Sequence, residues 1–319
     1  MDGMHGDLTR VPLAYPLAPV EGPRLVLAGC EHPVRLRRSR PVAASPTPSC
    51  AHCGADLSGP VRRPLGAVLA ALEATPLADR TPVLAVGSNA AAAVMRHKLG
   101  SRGVSTVVPV LTGVVRALDV SHSAHVSRGG YVPAAPVHRS AARTPVVLQL
   151  LDDDQLAAVD ETEPTYERVE VSAARYPLLL PGGVRPRRVH VYSSRFGVIR
   201  RPGRGPTPLL PQTEVLAALQ AAGVPHTSGG PEEVSARLAG SPDVRRAVGR
   251  ALRELGLVRD PGLFSRPAGE LRWGDALSPP AAGGSGVSGA RQPARQRPRR
   301  VPRTTPPPRT PRHATGPRP

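Results

Sequence analysis

The sequence predicts an α+β fold: a mixed, closed or nearly closed sheet over residues 82–200, flanked by helices and followed by a helical piece. Three observations carry that expectation. Valine-rich runs with strand patterning dominate the middle of the chain. Helical periodicity falls in segments before, between and after them. The G-x-G-x-x-G turn of a doubly wound nucleotide fold is missing.

The elements follow in order. Residues 1–60 are Pro-rich and broken, with one short strand at Arg24–Ala28. Leu65, Val68, Leu69 and Leu72 fall at helical spacing and predict a helix within Arg62–Ala78. Val83–Val86 reads as a buried strand and Ala90–Leu99 as a helix. Val104–Leu118 reads as one or two strands broken at Gly113, and 119–144 as a loop containing His122, His125 and Tyr131. Val146–Leu150 is a strand. Asp152–Glu163 is a helix with acids in its first turn, where they suit the dipole, and Pro164 stops it. Glu167–Ser172 and Arg188–Tyr192 alternate as strands. Thr213–Ala222, Pro231–Ala239 and Val244–Leu257 are helical. The organisation expected is therefore an N-terminal segment (1–60), an α+β core (61–210), a helical extension (211–265) and a disordered Pro/Arg-rich tail (266–319).

Composition narrows the class. Of 42 basic residues only Lys98 is lysine, and 40 prolines and 32 glycines accompany eight aromatic residues. Such a bias reads as the imprint of a GC-rich genome, so arginine identity carries little information. Nine arginines and no acid lie between Arg291 and Pro319, which puts half of the formal +18 on the tail. That stretch buries too little apolar surface to offset the entropy of ordering. A solvated appendage is the favoured reading. Salt-dependent binding of nucleic acid is the other. No apolar run reaches about 18 residues, so no membrane span or membrane partner is expected. Acidic Asp2 and Asp7 with no apolar run before Pro12 argue against a signal peptide, which makes a cytoplasmic protein the default.

Cys50 and Cys53 have the C-x2-C spacing that presents two thiolates to one zinc, and Cys30 with His32 would complete a tetrahedral set. The single residue between Cys30 and His32 makes an awkward bite. Unliganded thiols are the competing reading. No other cofactor is indicated: the P-loop, G-x-S-x-G and H-E-x-x-H patterns are absent.

Two segments remain as candidates for chemistry. Gly87-Ser88-Asn89 joins a strand to a helix, where unpaired amides can hold a carboxylate, or where Ser88 or Asn89 simply caps the helix. Glu163 ends the acidic helix beside Asp160 and Glu161, so desolvation and like charge would tune it toward proton transfer; the bland alternative is a solvated acidic face. Tyr166 either orients a ligand or plugs the end of the sheet.

Together, Val86-Gly87-Ser88-Asn89 and Asp160-Glu161-Thr162-Glu163-Pro164 followed by Tyr166-Glu167-Arg168 resemble two motifs of the gamma-glutamylcyclotransferase-like family, which is sometimes grouped with plant avirulence-induced proteins. Gly87 and Glu163 lie 76 residues apart, and the resemblance covers about residues 82–200. It implies a small mixed β-barrel with flanking helices. It also implies Gly87, Ser88 and Asn89 as the substrate-carboxylate turn, Glu163 as the catalytic acid/base, and no metal or cofactor for the reaction. The implied reaction is intramolecular cyclisation of a γ-glutamyl compound with release of 5-oxoproline. The chain departs from the family at Val86, where a tyrosine is usual, and at Pro164, where a glycine is usual. A noncatalytic small-molecule binder of the same fold is the alternative.

Overall fold

A computed structural model describes residues 6–37, 40–43, 53, 63–201 and 205–277. In chain order the elements are β1 (Arg24–Leu27), β2 (Cys30–Arg37), β3 (Arg40–Ala43), α1 (Leu65–Ala71), β4 (Thr81–Ala85), α2 (Ala92–Gly100), β5 (Val108–His122) and β6 (Ala134–Leu151). Then come α3 (Asp153–Thr162), β7 (Tyr166–Ser172), β8 (Leu178–Leu179), β9 (Arg188–Ser194), β10 (Val198–Ile199), α4 (Gln212–Ala221), α5 (Pro231–Gly240), α6 (Pro242–Glu254), β11 (Val258–Arg259), β12 (Ser265–Pro267) and α7 (Trp273–Leu277).

Ten strands form one mixed sheet in the order β12-β7-β9-β4-β6-β5-β1-β2-β3, with β8 paired to β5 off that path. β10 and β11 pair separately. Within the large sheet β4 and β9 run parallel, and the other pairs are antiparallel. The expected barrel is corrected here: the sheet is open. The edges that strands from 82–200 would have to seal against one another are taken by strands from outside that range. β1 pairs with β5, and β12 pairs with β7.

β4 lies inside the sheet and every one of its residues is buried. Because side chains alternate along a strand, Leu84 faces one core with Leu148, Leu150, Val171, Val191 and Trp273. Val83 and Ala85 face the opposite core, where Met95 and Leu99 of α2 and Ala158 and Val159 of α3 cover the sheet. Burial of each such aliphatic side chain stabilises the fold by roughly 1.5–3 kcal/mol, and this two-sided packing fixes where β4 ends and α2 begins.

The strongest departure from the sequence reading is the β5–β6 hairpin. β5 runs unbroken through Gly113, and most of 119–144 is strand rather than loop. Only the connection between His122 and Ala134 is irregular, and Ala124, Val126 and Val132 within it pack against α4–α6. Residues 266–277 are a second correction. They were read with the tail, yet β12 pairs with β7 and Trp273 is buried. The arginine-rich stretch 291–319 lies outside the described residues. No helix among those described is long and apolar enough to cross a membrane.

Candidate functional site

The Gly87 turn and Glu163 meet. Asn89 Nδ2 donates to Glu163 Oε1 at 2.9 Å, across 74 residues of chain. Lys98 Nζ donates to the same oxygen at 2.6 Å and to Asn89 Oδ1 at 2.6 Å. Gln149 of β6 closes the group by donating from Nε2 to the Asn89 carbonyl at 2.6 Å. Among the described residues no hydrogen bond falls on Glu163 Oε2.

Each position follows from the local fold. β4 delivers Gly87, and Ser88–Ala90 forms a single 3₁₀ turn before α2. Neither Ser88 nor Asn89 caps a helix with its side chain, so the capping alternative is not what these residues do. Gly87 is required by space: a Cβ there would stand 2.7 Å from the Tyr15 hydroxyl and 3.1 Å from the Ala134 Cβ. Lys98 sits in the last turn of α2, and Glu163 is the residue that ends α3. A carboxylate at a helix C-terminus opposes the dipole, and the Lys98 ammonium offsets that cost. The Lys98 and Glu163 side chains are each 15% exposed, shielded yet within reach of solvent.

The acids expected to crowd one another are separated instead. Asp160 accepts from Arg168 and from the Tyr192 hydroxyl, tying α3 to β7 and β9. Glu161 pairs with Arg102 on the surface. Only Glu163 turns toward the Gly87 turn.

Tyrosines surround this group. The Tyr15 hydroxyl accepts from the Ala134 amide at 2.6 Å, and its ring stacks on Tyr131 with centroids 4.5 Å apart. Tyr166 donates to the Ala134 carbonyl at 2.7 Å. Burial above all, with neighbouring charge including that of Glu163, raises the pKa values of Tyr15, Tyr166 and Tyr192 and pushes Tyr131 up to about 12; at Tyr192 the bond to Asp160 adds to the rise. All four hydroxyls stay protonated across the physiological range, so they act as neutral dipoles. Tyr15 places a phenol beside Gly87 although position 86 is valine.

The histidines of 119–144 are structural supports behind that wall. His122 bonds the Val132 carbonyl through Nδ1 and accepts from the Leu210 amide at Nε2. His125 is bonded to Ser123, stacks on Phe196 and meets Tyr166 edge-on. Burial lowers both pKa values to about 4.

Lys98, Tyr15 and Gln149 were not singled out in the sequence. Lys98 alone had a readable signal, as the one basic residue that escapes the arginine bias. Of the predicted metal set, His32 and Cys53 are in contact, with Nε2 and Sγ 3.5 Å apart, and Cys50 lies outside the described residues. No three potential ligands among the described residues gather into a metal site. A cavity of about 700 Å³ lies elsewhere, lined by Glu73, Asp79, Asp152, Asp153, Asp154 and Arg272 among others, and it shares no residue with the Glu163 group. No protein-family model matches the chain, and no curated protein matches it.

Proposed function

We propose that the chain binds a small γ-glutamyl compound at Glu163 and the Gly87-Ser88-Asn89 turn and cyclises it. The observation that carries this reading is the 2.9 Å bond from Asn89 to Glu163, which joins a turn suited to a carboxylate to a proton carrier 74 residues away. In the reaction the substrate's α-amine attacks its own γ-carbonyl carbon. The new N–C bond forms as the bond to the leaving amine breaks. Glu163 takes the proton released by the attacking nitrogen and gives it to the departing one, and is itself unchanged. Because both reacting groups belong to one molecule, orientation lowers much of the barrier. Oε1 is anchored by Asn89 and Lys98, and Oε2 is the oxygen available to the substrate amine. Lys98 is the cation next to the developing oxyanion.

A specific feature favours a second reading, that of a binder without turnover. The 2.6 Å Lys98–Glu163 pair neutralises the carboxylate through Oε1, and a ligand ammonium would compete with Lys98 for it. The test uses the full-length chain, because Tyr15 lies outside the 82–200 region that carries the resemblance. It measures 5-oxoproline release from a panel of γ-glutamyl amines, amino acids and dipeptides. Glu163→Gln should stay folded and lose about 10²-fold or more in turnover. Turnover unchanged in that variant sinks the mechanism. Saturable binding without release, lost in Glu163→Gln, selects the binder.

A further inference from the structure

We infer that the concavity between β6, β11 and the chain that follows β10 binds the phosphate groups of a small molecule. Its volume is about 520 Å³, a size common to small-molecule sites and more than one phosphate fills. It shares no residue with the Glu163 group, so it stands or falls apart from the proposed cyclisation.

Three arginines from separate stretches of chain converge on it: Arg139 of β6, Arg259 of β11, and Arg201 two residues past β10. No carboxylate is among the described residues that line it. The cavity of about 700 Å³ at the start of α3 is lined by five acids and one arginine, so the two concavities differ in sign. The arginine bias of the composition explains the choice of guanidinium over ammonium. It does not explain why three cations gather where no acid in the lining answers them.

Backbone pairing fixes the frame. The His138 amide donates to the Pro261 carbonyl at 2.8 Å, which ties β6 to the chain just after β11. Bridges pair Ser121 with Pro208 and Arg200 with Pro206, which hold the two prolines of the lining in place. Arg139 is already oriented: its Nη2 donates to the Pro206 carbonyl at 3.2 Å, and Asp119 stands 3.1 Å from its Nε. Arg201 makes no side-chain hydrogen bond or ion pair among the described residues, and Arg259 commits only Nε, to the Asp260 carbonyl. The remaining N–H groups of these two guanidinium forks match the oxygens of a phosphate. Pro206 and Pro208 supply an apolar wall for the body that carries the phosphates.

The test is calorimetric titration of the full-length chain with pyrophosphate and with ADP at low ionic strength, where exposed charges are least screened. Saturable one-to-one binding is expected, weakened about tenfold by Arg201→Gln and by Arg259→Gln. Both side chains are exposed, so both variants should fold as the wild type does. The arginine-rich tail is a second place for anions to gather, so the double variant Arg297→Gln, Arg300→Gln is the control and should leave the affinity unchanged. Tighter binding of ADP than of pyrophosphate assigns the site to an organic phosphate, and equal binding assigns it to the inorganic ion. Failure of both ligands to bind the folded wild-type chain overturns the site. So does binding that survives both cavity variants or vanishes in the tail control. Binding of an RNA oligonucleotide and of neither ligand would overturn it too, as the mark of a nucleic-acid surface.

Discussion

The two ends of α3 each hold a shielded cation beside an acid, and they do different work. At the N-terminal end Arg80 is fully buried. It donates to the carbonyls of Thr75, Val107 and Leu150 and to Gln155 Oε1, while Asp152 stands 3.6 Å away. Gln155 completes a reciprocal cap with Asp152 and also donates to Ser105 and Val107. At the C-terminal end the hydrogen bonds of the Lys98 ammonium fall, among the described residues, on two side-chain acceptors, Asn89 and Glu163. A cation engaged by main-chain carbonyls cannot be displaced without unpairing the backbone. A cation held by side chains can be exchanged for a ligand. The first end is a strut and the second is a site.

The contrast is broken most forcefully at Arg80. Arg80→Met should destabilise the fold by about 3–5 kcal/mol in urea titrations, because three carbonyls, Gln155 and Asp152 each lose a partner at once. A loss below about 1 kcal/mol would mean that this end is as replaceable as the other.

Acid titration comes next in size. His122 and His125 have pKa values lowered to about 4 in the fold by burial, against 6.5 when free. Their contribution is complete above pH 6.5 and declines as pH falls toward 4, because the unfolded chain then binds protons that the fold refuses. Each histidine accounts for up to about 3 kcal/mol over that window. Unfolding free energy measured from pH 7.5 to 4 should show the decline, and His125→Phe should flatten it. A profile unchanged in that variant would mean that His125 does not contribute to the decline across this window.

Lys98→Met is the smallest perturbation and the sharpest. Its stability cost should be about 1 kcal/mol, since Glu163 keeps Asn89 and retains access to solvent. Affinity for a γ-glutamyl ligand should change by about tenfold or more, in either direction according to whether Lys98 blocks or stabilises the bound state. Unchanged affinity with a large loss of stability would make Lys98 a second strut.

Much of this was legible in the sequence, and for identifiable reasons. The extent of α3 followed from the acids of its first turn and from Pro164, while the two motifs that pointed to Gly87-Ser88-Asn89 and Glu163 lie on segments whose side chains meet. The β5–β6 hairpin was missed because His122, Ser121 and Ser123 look like loop residues. Their polar atoms are paired inside the fold: Ser121 with the Thr207 carbonyl, Ser123 with Ser194 and His125. The barrel expectation failed because it considered residues 82–200 alone, while β1 and β12 come from either side of that range. Lys98 was overlooked because a compositional argument that discounts forty-one arginines says nothing about the single exception.

The parallel pairing of β4 with β9 carries a consequence for how the chain reaches this state. Val83 aligns with His190 and Leu84 with Val191, so this interior strand gains one of its neighbours only after more than a hundred further residues exist. Tyr15 waits similarly for Ala134, 119 residues downstream. Pairings this distant in sequence slow folding, since chain closure precedes any stabilising contact. During synthesis the early strands must persist with exposed apolar edges until β9 has left the ribosome. Refolding yield should therefore depend steeply on protein concentration, with the hairpin of β5 and β6 forming first and the wall around Glu163 last.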